Sequence, residues 1–280
     1  HFSPANLTSA PKKAVCMWGG VRSEQMLQKI DDLLTNQIPF DYFWIDAGWY
    51  GRSQADEPDQ SKSSWGLHTG EWYPNPLYHP NGLRDVADKL HANGKKLLLW
   101  LQPELVHVTS HSYRDNRDKL FKHNETSRNV LLDLGRPEVL DYVYECVAAQ
   151  IRKLRVDCYR QDFCAFPLVM WRLSDAPDRK GISEIKHIMG LYAFWDRLLA
   201  EFPHLVIDNC AGGARRFDIE MYSRSVNLWR SDFESDWDEK QAQTSALYPW
   251  AVSAAIASGS NREYGDTYAV RSVYGSDLAV

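Results

Sequence analysis

VDCYRQDFCAF, residues 156–166, is the stretch on which the reading of this chain turns. Val156, Cys158 and Tyr159 suit a buried pleated strand, and a strongly helical stretch from Pro137 to Leu154 feeds directly into it, the order expected in a parallel sheet. At the strand's exit Arg160, Asp162 and Cys164 alternate with Gln161 and Phe163, so a period of two sets a cation, an anion and a thiol on one face. A carboxylate on an apolar strand is costly unless it is paired or used. Asp162 is either an ordinary ion-paired residue or the centre of a site, and similar exits elsewhere in the chain separate the two readings.

Working outward, such exits recur. AVCMWGG (14–20) is an apolar run stopped by two glycines, followed by a helical stretch at 23–36 with Met26, Leu27, Ile30, Leu33 and Leu34 in register. FDYFWIDAGWYG (40–51) reads as a strand that exits on Asp46. A helix at 82–93, closed by Gly94, leads to KLLLWLQPELV (96–106), which carries Trp100, Gln102 and Glu104. NVLLDL (129–134), preceded by Arg128, reads as a fourth strand, and the Asp162 strand as the fifth. After a helix at 183–201, LVIDNC (205–210) runs into AGGARRFD, and SVNLWRSD (225–232) ends on Asp232. A helix near 239–248 precedes AVSAAIASGSN (251–261), the eighth strand, and a last, clipped helix is expected to begin within 266–274.

Eight strand-like runs alternating with helices at intervals of about thirty residues predict an α/β fold, a (β/α)8 TIM barrel over 14–280, with 1–13 as a linker from an upstream region. Active sites of this fold lie at the C-terminal ends of the strands. Asp46, Trp100, Glu104, Arg128, Arg160, Asp162, Cys210 and Asp232 are therefore expected to converge on one mouth. The long polar loop at 51–80, with Trp65, Trp72 and Tyr73, is too long for a bare connection and points to a functional role.

Composition narrows the chemistry. A net charge of −5 with no basic tract argues against nucleic acid as a partner. No apolar run is long enough to span a bilayer and no signal peptide is visible, which leaves localisation open. Five scattered cysteines without a CxxC pair argue against zinc and against a disulfide framework, and the histidines fall in loops and helices rather than at strand ends, so no metal is expected. Phosphate handling lacks a P-loop lysine, and no cofactor motif is present. What remains is two carboxylates, Asp162 and Asp232, amid eleven tryptophans, and carboxylates among aromatic platforms are the equipment of glycoside hydrolysis.

Taken in order, WIDAGWYG, WLQPELV, SRNVLLDL, YRQDFC, IDNCAGGARRFD and WRSDFESD resemble the clan of retaining α-galactosidases, closest to glycoside hydrolase family 36, from Trp18 to about Arg271. The resemblance implies Asp162 as nucleophile and Asp232 as acid/base, with Asp46, Trp49, Trp100, Glu104, Arg128, Arg160, Cys164, Cys210, Gly212, Gly213 and Arg230 lining the sugar site. It implies an α-linked oligosaccharide or glycoconjugate as substrate, further domains on either side of the barrel, and a homo-oligomer as a compatible state. Three departures stand out: Ala47 replaces a second aspartate after Asp46, Arg160 replaces a lysine, and Cys164 replaces an asparagine. They leave α-N-acetylgalactosaminide or another α-glycoside as the alternative substrate, and a non-catalytic carbohydrate-binding relative as the alternative of another class. For a retaining pair the carboxyl groups are expected about 5 to 6 Å apart, with Asp162 lowered and Asp232 raised in pKa.

Overall fold

Short apolar and aromatic runs become strands wherever they can bury both faces. The structure is a computed structural model that describes residues 13–51, 65–232, 237–247, 256–257, 268 and 278–279. Its strands are β1 (Lys13–Met17), β2 (Tyr42–Ile45), β3 (Pro80–Leu83), β4 (Lys96–Leu101), β5 (Leu105–His107), β6 (Asn129–Leu131), β7 (Cys158–Gln161), β8 (Val206–Asn209), β9 (Ile256–Ala257) and β10 (Leu278–Ala279). Between them lie α1 (Ser23–Thr35), α2 (Arg84–Ala92), α3 (His111–Asp115), α4 (Pro137–Leu154), α5 (Leu168–Ser174), α6 (Ile182–Glu201), α7 (Ile219–Tyr222) and α8 (Trp237–Leu247).

The main sheet runs β8-β7-β4-β2-β1-β10-β9, parallel throughout. Val226 adds a further stave: it bridges Asp208 in parallel, its N–H donating to the Ile207 carbonyl and its carbonyl accepting from Asn209. β10 returns to β1, with Lys13 opposite Leu278 and Ala14 opposite Ala279, so the staves follow chain order around a barrel. The period of two sorts side chains as the pleat requires. Ala14, Tyr42, Leu98, Cys158, Val206 and Val226 pack together inside, while Phe43, Ile45, Leu97, Leu99, Tyr159 and Ile207 face outward onto the apolar stripes of the helices. On α1 that stripe is Met26, Ile30 and Leu33; on α4 it is Val139, Val143, Val147, Ile151 and Leu154.

Two strand assignments are corrected. Residues 129–134, read as the fourth barrel strand, contribute β6, which pairs antiparallel with β5 in a separate two-stranded sheet. The physical reason lies in what joins them: parallel neighbours need a crossover of a dozen or more residues, usually with a substantial helix, and between β5 and β6 the only helices among the described residues are the five-residue α3 and a single 3-10 turn. Asp162 therefore leaves the fourth stave of the barrel, not the fifth, and Asp232 follows the sixth, not the seventh. The run at 251–261 supplies β9, the seventh stave, and β10 takes the eighth place near the end of the chain, beyond the position where the clipped helix was expected. Most of that expected helix, like residues 1–12 and 52–64, lies outside the described residues. No helix among the described residues is long and apolar enough to cross a membrane.

Candidate active site

The floor of the barrel mouth is a buried charged layer one pleat below the strand exits. Arg160 on β7 lies under Trp44 of β2, with its guanidinium 4.4 Å from the indole centre. One terminal nitrogen, Nη1, donates to Asp208 of β8, and the other donates to Cys210 Sγ at 3.1 Å. Asp208 also accepts from the Leu228 N–H at 2.9 Å, which ties the sixth stave to the fifth. Arg160 Nε stands 3.8 Å from Asp46 Oδ2. Burial is the largest influence on Asp46 and raises its pKa to about 6, with the nearby Asp162 adding to it and Arg160 opposing.

Above this layer Asp162 is held by donors on both oxygens. Oδ1 accepts from the N–H of Phe163 at 2.7 Å and of Gly212 at 3.0 Å; Oδ2 accepts from Trp100 Nε1 at 3.2 Å and lies 3.4 Å from the Cys164 thiol. Burial alone would raise this carboxyl, but the Arg160 charge and the bonds from Gly212, Phe163 and Trp100 outweigh it, and its pKa is lowered. The segment after Asp162 is pinned by the Cys164 N–H, which donates to Gln102 Oε1 at 2.8 Å.

Asp232 lies on the loop after Val226, with its Oδ1 accepting from Trp229 Nε1 at 3.0 Å. Desolvation in the cleft comes first, and the Asp162 charge second, in raising its pKa. Gly212 lies beside both carboxylates. The Gly212 N–H bonds Asp162, and a Cβ built on Gly212 would stand 3.2 Å from Asp232 Oδ2. Gly213 has φ +87°, and a Cβ there would fall 2.5 Å from Ser231 Cα, so only glycine lets the loop after β8 lie against the Asp232 loop.

The residues singled out from the sequence fall into two groups. Asp46, Trp100, Arg160, Asp162, Cys164, Cys210, Gly212, Gly213 and Asp232 gather at this mouth. Others stand apart. Glu104 is fully buried behind β7, where it accepts from Gln161 Nε2 and Arg216 Nη1 at 2.7 Å each and meets His187 Nε2 at 2.9 Å. Burial alone would raise its pKa, but Arg216 and His187 overcome this and lower it to about 2, so its bonds are internal. Trp49 is 0% exposed and donates its indole N–H to the Trp100 carbonyl at 2.8 Å; it is core, placed by packing against Tyr50. Arg128 is exposed beside the β5–β6 pair, where its carbonyl accepts from Val108, rather than on a barrel strand. Arg230 is buried, its carbonyl accepting from Ala214 across the glycine loop. Ala47 is 1% exposed, so its methyl lines no open surface.

Sequence reasoning missed Trp44 and Asp208, while Trp65 belongs to the loop already expected to be functional. The first two sit two residues before Asp46 and Cys210, and the alternation used for Arg160 and Asp162 would have found them. Trp65 packs edge-on against Trp100, which also stacks with Tyr50, so this aromatic cluster borders the carboxylate pair. Among the described residues no group of three or more His, Cys, Asp or Glu could hold a metal ion.

Residues 15–270 match the family model described as Melibiase. The chain belongs to the melibiase family. Among curated members it is 28% identical over 237 residues to Alpha-galactosidase 1 of Pediococcus pentosaceus, covering 82% of this chain and 31% of that protein. To Alpha-galactosidase Mel36A of Lactobacillus acidophilus it is 26% identical over 249 residues, covering 86% and 32%. The chain thus spans about a third of the length of these relatives. The fold is that of the melibiase barrel in the GH36 alpha-galactosidase AgaA of Geobacillus stearothermophilus, with a TM-score of 0.81 at 19% identity over 99% of this chain and 39% of that one. Variants of AgaA have been solved in complex with stachyose and with raffinose, each with a TM-score of 0.79 to this chain.

Proposed function

We propose that this chain is the catalytic barrel of an exo-acting, retaining α-galactosidase that works by double displacement on α-linked oligosaccharides or glycoconjugates. The observation that carries the reading is the opposite displacement of two carboxyl groups that share Gly212: Asp162 lowered, Asp232 raised. In the first step an Asp162 oxygen attacks the anomeric carbon, the glycosidic bond breaks, and the proton on Asp232 passes to the departing oxygen. In the second, Asp232, now a carboxylate, takes a proton from water as that water attacks the glycosyl ester, and Asp162 leaves as its anion. Two inversions return the α configuration.

Arg160 supports this chemistry by keeping Asp162 ionised, and Trp100 holds its Oδ2. Asp46, at the exit of β2 beside Arg160, is the acceptor for sugar hydroxyls. The test is hydrolysis of a panel of aryl α-glycosides, with the first-formed sugar anomer followed by proton NMR. α-Galactose released first from the α-galactoside is the expected result. β-Galactose would make the enzyme inverting, preference for the α-N-acetylgalactosaminide would replace the sugar, and calorimetric binding without turnover would make the barrel a carbohydrate-binding relative.

A further inference from the structure

A cavity of about 360 Å³ opens on the other face of the segment that carries Asp162. Alternation explains its placement: Asp162 and Cys164 turn into the barrel mouth and touch each other, while Phe163 and Ala165 line the cavity, with Phe166 and Trp171 completing an apolar wall. The size falls in the range of pockets that hold small organic ligands. At the floor lies the ion network of Glu104. Two nitrogens of Arg216, Nε and Nη2, and Nδ1 of His187 are buried there without a hydrogen-bond partner. His187 itself is 1% exposed.

Arg215 joins this cavity to the carboxylate pair. Its guanidinium donates to the carbonyls of Ala211 and Phe163, which lie on the two loops that form the cavity walls, and lies 5.5 Å from the centre of the exposed Phe166 ring. Its Nη2 stands 2.8 Å from the point where a Gly212 Cβ would be, a point 3.2 Å from Asp232 Oδ2. The departing oxygen must lie at Asp232 to receive its proton, which sets it beside Gly212, the residue that Arg215 Nη2 also borders.

We propose that this cavity is a leaving-group site for an aromatic aglycone bearing a hydrogen-bond acceptor at its far end. This inference rests on the reading that a galactosyl ring sits over Asp162. The ring lies against Phe163, Phe166 and Trp171, Arg215 borders it at the entrance, and the far acceptor answers the unpaired donors of Arg216. A hydrophilic aglycone, such as the sucrose unit of raffinose, gains less from such walls than an aryl group does.

The experiment measures binding by calorimetry on the Asp162→Asn protein, which removes turnover and leaving-group reactivity from the comparison. The ligands are galactose, raffinose, phenyl α-galactoside and 4-carboxyphenyl α-galactoside. The 4-carboxyphenyl compound is expected to bind most tightly, and adding Ala165→Trp to fill the cavity is expected to weaken both aryl galactosides about tenfold more than raffinose. Phe166→Ala, a change at an exposed side chain, is expected to shift the same ratio about threefold and serves if the tryptophan variant fails to fold. Galactose binding with no aryl advantage, or equal losses on aryl and raffinose ligands, overturns the leaving-group site alone. If none of the four ligands binds, the α-galactoside reading falls and this inference with it.

Discussion

Asp162 and Asp232 are the same side chain within reach of the same glycine, yet their surroundings push their protonation apart. Asp162 receives two backbone N–H groups and an indole N–H beside Arg160, whereas Asp232 has one indole donor and faces the Asp162 charge. For the proposed reaction this gives a bell-shaped kcat/KM profile: activity is lost on the acid side as Asp162 protonates, below the usual carboxylate range, and on the basic side as Asp232 ionises, above it. Asp232→Ala should remove the basic limb and lower kcat/KM on a sugar aglycone by about 10²–10⁴; a basic limb unchanged in the variant would reject Asp232 as the acid. Asp46 supplies a second pH signal. Its carboxyl ionises at about 6, and its ionised form accepts the stronger hydrogen bond from a sugar hydroxyl. Galactose affinity, followed by calorimetry, should therefore rise as pH increases through about 6, and the rise should vanish in Asp46→Asn.

At the scale of elements, the loop after β8 positions the site. Asn209 ends the strand, Cys210 supplies a sulfur to Arg160, Gly212 bonds Asp162, and Gly213 lies against the Asp232 loop. Gly213→Ala puts a methyl 2.5 Å from Ser231 Cα at φ +87°, so one of the two loops must move. Backbone strain of this kind costs about 1–3 kcal/mol, and a shift of about 1 Å at the carboxylates costs of order a hundredfold in rate. Thermal denaturation and kcat together check this: a variant with wild-type kcat would show that the loop contact does not place Asp232. The antiparallel β5–β6 pair, by contrast, belongs to the excursion between β4 and α4. Residues 129–134 read as a barrel stave in the sequence because an apolar run of this length looks the same in either setting. The missing signal was a crossover helix, and its absence between 106 and 129 was legible.

Across the whole molecule, Glu104 ties the end of β4 to β7, α6 and the loop after β8 through Gln161, His187 and Arg216. Trp195 and Tyr159 extend the network by donating to Gln161 Oε1. Glu104 is fully buried and Arg216 is only partly exposed, so removing the charge at Glu104 leaves its partners uncompensated, and Glu104→Gln is expected to cost about 3–5 kcal/mol in chemical denaturation. The sign of its pH dependence follows from a folded-state pKa of about 2, below the usual glutamate value. The stabilisation is fully present above the unfolded-state pKa of about 4.3 and is lost as pH falls through about 2. The wild-type protein should lose stability across that window more steeply than Glu104→Gln. Parallel slopes would show that the carboxylate titrates alike in both states.

The class of fold, the helices α1, α2, α4, α6 and α8 to within a few residues, and the carboxylates at strand exits are legible in the sequence, whereas the short α3, α5 and α7 are not. The legible features are local matters, because the periods of helix and strand and the cost of an unused charge are visible in any short window. Tertiary structure alone decided which apolar runs became staves, since β6 and β10 differ in their partners and not in their composition. It also decided which polar residues face the mouth. Glu104 and Trp49 follow the same strands that carry Trp100 and Asp46, but packing against α6 and against the Tyr50 cluster turns them inward. The pairing of Asp162 with Asp232 is set in the same way. It depends on two loops, seventy residues apart in the chain, closing on one glycine that has no side chain to hold them apart.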